Sequence, residues 1–303
     1  VPATPASFGS VSSIAVRTTS QPSSTLNAGL RCSGSLLSLL TTNDHFYAKI
    51  TSSQSGLVGP KGDVIGYTLY ANNSTSYPIT RGQPYDFARN GIIDALGLLG
   101  GTSPKTVPIY LRTQMTSNVA AGLYQETFTV AWSIDYCWGL GLGSACLGRQ
   151  VFNATTTLTI NLTVTNDCQI SSPNIVFGSA PVVSAFVPVT SQTINLACTK
   201  GSAYTVGLDD GEHPVSAGGR RQMSAGGQFL AYDIFKSAGT TRWGKVGSAR
   251  RASSDAEVNP GNGLGFGPSG GSQIFNYNAR IYTDQPTPPV GNYLDNVVLD
   301  VGF

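Results

Sequence analysis

The sequence predicts an all-β chain of two tandem β-sandwiches, the second of them one strand short. Three observations carry this: an ordered internal repeat, repeat pieces that read as short strands between turn residues, and a composition poor in charge and rich in glycine and aromatics. The 303 residues suit two domains of roughly 150 each. Only 11% of positions are charged against a usual ~25%, and the net charge is +2. Disorder needs high charge with few aromatics, and nucleic-acid binding needs a basic field, so both classes are excluded.

The strands follow in chain order. Phe8-Gly9-Ser10 returns as Phe177-Gly178-Ser179, and about twenty residues later Thr25 to Cys32 returns as Thr193 to Cys198. Phe46 to Ile50 then matches Ala203 to Leu208, and Ile65 to Tyr70 matches Leu230 to Phe235. Ile109 to Arg112 answers Tyr277 to Arg280, and Gly122-Leu123-Tyr124-Gln125-Glu126 answers Gly291-Asn292-Tyr293-Leu294-Asp295. Each piece is rich in Val, Ile, Tyr, Phe and Thr and bounded by Gly, Pro, Asn or Ser, which gives two Ig-like sandwiches, residues 1–165 and 166–303. The first copy continues into Thr155 to Val164, a strict apolar/polar alternation; the second stops at Phe303. The second is therefore expected to keep an open edge over a hydrophobic groove.

The second copy carries Tyr204-x-Val206-x-Leu208-Asp209, Arg221-x-Met223, Leu230-x-Tyr232-x-Ile234-Phe235, Trp243-Gly244 and Pro289-Val290-Gly291-Asn292-Tyr293-Leu294-Asp295 between and beyond Cys168 and Cys198. It resembles the spore coat protein U family, which includes the pilins of archaic, Csu-type chaperone/usher pili; the resemblance is weaker over 1–165. It implies donor-strand complementation of residues 166–303, first by a periplasmic chaperone and then, after passage through an outer-membrane usher, by an adjacent pilin subunit. A two-domain member would be a tip adhesin, assembled in the periplasm and displayed at the cell surface with its signal peptide removed. Only Val1 to Ala6, with two prolines, precede the first strand, too few to donate one. Cys168 and Cys198 are expected to form a disulfide, being the cysteine pair with a clear place in the repeat.

Three apolar insertions distinguish the first copy: 33–41 with Leu36, Leu37, Leu39 and Leu40; 91–101 with Ile92, Ile93, Leu96, Leu98 and Leu99; and 136–147 with Trp138, Leu140 and Leu142. With strands lettered A to G they fall in the B–C, D–E and F–G connections, which share one pole, away from the linker. A short helix plugging the sandwich end could use either leucine cluster; three together at one pole point instead to contact with hydrophobic surfaces. The Gly-x-Gly-x-Gly run at 139–143 follows no strand-to-helix unit and reads as a tight hairpin, not a dinucleotide site. Cys137 and Cys146 are expected to close that hairpin and leave Cys32 unpaired, the alternative being Cys32 with either loop cysteine.

No enzyme is expected. Asp209, Asp210 and Glu212 beside His213 could in principle serve glycoside hydrolysis, but adjacent acids on a turn are ordinarily solvated. Two histidines and no C-x-x-C leave a metal site almost without ligands, and no cofactor is expected. His45 reads as a strand residue, and the pairs Arg220-Arg221 and Arg250-Arg251 as solubility features. No apolar run is long enough to span a membrane. The sequons at Asn72, Asn73, Asn153 and Asn161 are cheap in a Thr-rich chain. The rival readings are a lectin-like adhesin and a coat or shaft protein whose loops merely seal an end.

Overall fold

The computed structural model describes residues 5–24, 26–34, 43–89, 101–115, 118–260, 265 and 271–303, with the backbone alone at 27, 29, 31–34, 101–105 and 138–141. The chain divides into two compact units, Val1–Thr165 and Asn166–Phe303, each around its own core. Among the described residues no helix is long and apolar enough to cross a membrane.

Unit 1 opens with β1 (Ala6–Ser12) and a short helix α1 (Ser13–Thr18), whose first turn is capped by Ser12 Oγ accepting the Ala15 N–H at 3.2 Å. There follow β2 (Leu26–Gly34), β3 (His45–Thr51), β4 (Leu57–Val58), β5 (Val64–Ile65), β6 (Tyr67–Tyr70), β7 (Pro78–Ile79), β8 (Pro84–Asp86), β9 (Gly101–Thr113), β10 (Gly122–Leu142) and β11 (Ala145–Thr165). One sheet has the order β1-β11-β10-β3-β8, with β4 attached to β10 and β5 to β4; the other is β2-β9-β6-β7. The threonine alternation works as its period requires: Leu158, Ile160, Leu162 and Val164 are buried, and the intervening polar residues stay outside. The two sheets are tied where the buried Trp132 indole N–H donates to the Ala28 carbonyl at 3.0 Å.

The stretch after Tyr136 is the hairpin that the glycine–leucine run predicts, and it continues the strands on either side. β10 and β11 run 21 residues each and form one hairpin, paired from Gly122↔Val164 to Leu142↔Ala145. Alternating glycine and leucine can continue a ladder, and Gly143 at φ +60° supplies the left-handed residue the turn needs. Cys137 and Cys146 are bonded across this ribbon, with Cα atoms 5.7 Å apart. The side chain of Cys32 lies outside the described residues.

Unit 2 comprises β12 (Cys168–Ser171), β13 (Val189–Cys198), β14 (Thr205–Leu208), β15 (Arg221–Ala225), β16 (Gln228–Lys236), β17 (Arg251–Ala252), β18 (Gln273–Ile281) and β19 (Leu299–Gly302). Its sheets are β12-β13-β18-β16-β15 and β17-β14-β19. Cys168 opposes Cys198 in the β12–β13 ladder and is bonded to it, Cα to Cα 4.1 Å.

The arginine pairs are not solubility features. Arg221 is fully buried and donates to Asp233 Oδ1 at 2.6 Å and to the carbonyls of Leu208, Asp209 and Trp243. Burial pulls its pKa down, Arg242 adds to that, and the Asp233 carboxylate opposes both. Arg250 bonds Asp300 at 2.8 Å, and the buried Arg251 bonds Glu257 at 2.8 Å, while Arg220 is held by Asp284 on both carboxylate oxygens. A guanidinium can satisfy several carbonyls at once where turns meet a core, which a reading of charge pairs along the chain does not reveal.

Two stability outcomes follow from these contacts. Asp233→Ala leaves the Arg221 cation buried and uncompensated and is expected to cost about 3–5 kcal/mol in urea unfolding. Cys168→Ser is expected to cost about 3–4 kcal/mol, the chain-entropy value for a loop of that length; an unchanged urea midpoint in either variant rules out the role given to that contact.

Candidate functional site

The repeat makes the second unit's shortfall measurable, because one offset of 169 residues superposes the edge strands of both copies. Phe8-Gly9 and Phe177-Gly178 correspond, and both glycines sit at φ +76°. In unit 1 that segment belongs to β1, which lies parallel to β11 with Ala6 opposite Ile160 and resumes after the Phe8-Gly9 irregularity at Ser10↔Thr163. β11 is thus held between β1 and the antiparallel β10. On the neighbouring β10 the inward Tyr124, Glu126, Phe128 and Val130 are at most 2% exposed.

Unit 2 presents the same side chains without the covering strand. Tyr293, Asp295, Val297 and Leu299 occupy the equivalent positions and are only half-buried, alternating with exposed Leu294, Asn296 and Val298. Among the described residues β19 has one strand neighbour, β14, and residues 172–188 pair in no ladder. Between these segments runs a groove of about 620 Å³, floored by Ile194, Leu208, Tyr232, Ile234 and Tyr277. A second hollow of about 380 Å³ continues along Ile175 to Val183 and Thr287 to Leu294. Val176 and Leu294 on its rims are 73% and 65% exposed.

Among the polar residues that line the groove is a carboxylate, Asp295. The Tyr232 hydroxyl donates to Asp295 Oδ2 at 2.7 Å, and the Glu212 N–H donates to Oδ1 at 2.8 Å. Burial first, and then this carboxylate, push the Tyr232 hydroxyl far above its ordinary range. The counterpart in unit 1 is Glu126 beside Tyr67, but there Arg81 closes on the carboxylate with both terminal nitrogens, at 2.5 and 3.0 Å.

The three insertions of unit 1 leave from one end of its sandwich. Gly34 pairs with Gly101, Asp86 with Tyr47, and His45 with Asp135, so the flanks of 35–42 and 90–100 lie on the side where β10 and β11 turn. Asp44 accepts the Cys137 N–H at 3.1 Å, and Arg149 donates to the Asn43 carbonyl. Leu36, Leu37, Leu39, Leu40, Ile92, Ile93, Leu96, Leu98 and Leu99 lie outside the described residues, as do the side chains of Trp138 and Leu140. Leu142, at the hairpin tip, is 89% exposed. Leu147, Val151 and Phe152 on the returning strand are also exposed; bounding the insertion at 136–147 left out the last two, although β-branched and aromatic residues continuing past Cys146 are a strand signal.

The acidic turn is structural. Asp209 Oδ1 accepts the N–H of Gly211 and of Val298, and the Glu212 carboxylate accepts from Asn296. Asp210 is held below its ordinary range: partial burial alone would raise it, and the Arg242 and Gly218 hydrogen bonds outweigh that. His45 stacks on Tyr47 at 4.3 Å. Among the described residues no group of His, Cys, Asp and Glu is arranged to hold a metal ion.

No curated protein matches the chain. Among solved structures, a chain of the CsuC–CsuE chaperone–tip adhesion subunit pre-assembly complex from the archaic chaperone-usher Csu pili of Acinetobacter baumannii is similar to it. That match has 25% identity and a TM-score of 0.65, over 99% of this chain and 100% of that one. The CupB6 tip adhesin of Pseudomonas aeruginosa gives 13% identity and a TM-score of 0.31 over 99% and 90%. The Spore Coat Protein U domain matches residues 1–131 and 154–300, and by that match the chain belongs to the Spore Coat Protein U domain family.

Proposed function

We propose that this chain is the tip adhesin of a chaperone-usher pilus: a strand from outside completes its second unit, and its first unit attaches the fibre to apolar surfaces. The observation that carries the reading is the contrast between Tyr124, Glu126 and Phe128, covered by β11, and Tyr293, Asp295 and Val297, equivalent and half open. An unpaired edge over exposed apolar side chains is a template for another strand. The full-length similarity to a chain of a chaperone–tip adhesion subunit complex supports a periplasmic chaperone as the first occupant. An adjacent pilin subunit delivered at the outer-membrane usher is the second, which places the finished protein on the cell surface.

The apolar pole supplies the adhesion. Leu36, Leu37, Leu39, Leu40, Ile92, Ile93, Leu96, Leu98, Leu99, Trp138, Leu140 and Leu142 are the contact residues on this reading, and the exposed Leu142 and Leu147 support it. Burying a large apolar side chain is worth ~1.5–3 kcal/mol, so several together can exceed the roughly 4–15 kcal/mol lost on association. Nothing in such a contact demands polar complementarity. The target is then broad, abiotic surfaces included, and biofilm formation follows from attachment.

Two experiments test the two halves separately. Residues 166–303 expressed alone should aggregate, and the same fragment with residues 155–165 grafted after Phe303 should be a soluble monomer with cooperative unfolding. A cooperatively folded ungrafted fragment disproves the open groove. For the pole, Leu37→Ser, Leu39→Ser, Leu98→Ser and Leu142→Ser combined should abolish adsorption to polystyrene in high salt while leaving the circular dichroism spectrum unchanged. Adsorption that persists and is blocked by a particular sugar would instead establish a lectin.

A further inference from the structure

The groove carries an electrostatic requirement as well as a hydrophobic one. In unit 1 the inward carboxylate of Glu126 is 1% exposed, and Arg81, lying 4.4 Å over the Tyr67 ring, neutralises it. Arg81 stands two residues beyond Ile79, the partner of Leu69 in the β6–β7 ladder. The same place in unit 2 is two residues beyond Trp243, whose N–H bonds the Ile234 carbonyl, and is held by Lys245. Lys245 is exposed, and among the described residues it has no carboxylate partner. Arg220, Arg221, Arg242, Arg250 and Arg251 are bonded to other carboxylates. Lys236 and Arg280 donate to backbone carbonyls, and among the described residues Asp295 faces the groove with two hydrogen bonds, from Tyr232 and Glu212, and with no ion pair to a cation.

An open groove tolerates this because water solvates the charge. Once a strand covers it, Asp295 acquires the surroundings of Glu126, and an ionised carboxylate under an apolar strand with no counter-charge is costly. We propose that the strand which fills this groove carries a lysine or arginine at the position facing Asp295, amid otherwise alternating apolar residues. The inference rests on the groove being filled by a strand from outside. It adds the chemistry of that strand and its register. In unit 1 the residue opposite Glu126 is Ile160, which is also opposite Ala6. With the repeat offset, the basic residue stands opposite Asp295 and beside Ile175. Directly opposed residues of an antiparallel pair have Cβ atoms about 4.5–5.5 Å apart, within reach of a lysine side chain.

The unit 1 strand itself is the probe. Three synthetic peptides of residues 155–165 are compared for binding to the full chain: the native sequence, one with Ile160→Lys and one with Ile160→Glu. The Ile160→Lys peptide is expected to bind about tenfold more tightly than the native one, equivalent to about 1.4 kcal/mol, and the Ile160→Glu peptide more weakly. In the full-chain variant Asp295→Asn the native peptide should bind more tightly than to the unaltered protein, because no charge is left uncompensated under it, and the advantage of Ile160→Lys should vanish; in the unaltered protein that advantage should shrink as salt rises. Native and Ile160→Lys peptides that bind equally to the unaltered protein overturn the charge requirement and leave the groove reading standing. If no peptide binds, the groove reading falls, and this proposal with it.

Discussion

A strand with a neighbour on one side only leaves a row of N–H and C=O groups unmet and the core under it half covered, and both defects are cured by the same object, a second strand. The architecture of this chain turns on where that strand comes from. Unit 1 makes its own: β11 caps β10 along its length, and the side chains beneath become as inaccessible as any in the core. Unit 2 reproduces the same inward positions at a constant offset and leaves them half open. On one side of the groove the left-handed glycine that follows the phenylalanine of β1 recurs with the same φ where no strand has formed.

Insertions have not disturbed this correspondence because they sit where ladders end. Added residues in a connection between strands cost little in loop closure entropy and leave cross-strand register intact. The β10–β11 ribbon shows the limit of that freedom. It extends the sheet past Asp135, where the ladder with β3 ends, so among the described residues its two strands have only each other as ladder partners. A lone two-stranded ribbon is marginal in water, and the Cys137–Cys146 bond fixes this one near its tip.

What was legible in the sequence was what depends on period and order. Alternation located the strands, and the repeat located the unit boundary and the edge that lacks its partner. The parallel pairing of β1 with β11 was not legible, since the partners are some 150 residues apart and parallel pairing leaves no local trace. Nor were the buried ion pairs: Arg81 with Glu126 and Arg221 with Asp233 look in sequence like ordinary surface charges, and only packing reveals that each charge answers several groups. The hairpin in the Gly-Leu run was legible, but its continuation as one ladder with β10 and β11 was not, because glycine punctuates strands more often than it continues them. Of the pole, the sequence offered apolar residues in unexpected connections, and the described flanks bring those connections to one end.

The two proposed sites require opposite kinds of recognition, which gives a physical reason for housing them in separate units. A groove that accepts a strand is specific by construction: main-chain hydrogen bonds fix direction, the pleat admits an apolar residue only at every second position, and Asp295 discriminates by charge. A pole of leucines is specific for nothing beyond low polarity, and can be so only if the unit that bears it is already complete. Were the pole carried on a sandwich with an open edge, its apolar residues and that edge would compete for the same partners during folding. Unit 1 avoids the conflict by closing its edge with its own β11, so that what it leaves exposed is side-chain surface and not an unpaired ladder over an open core.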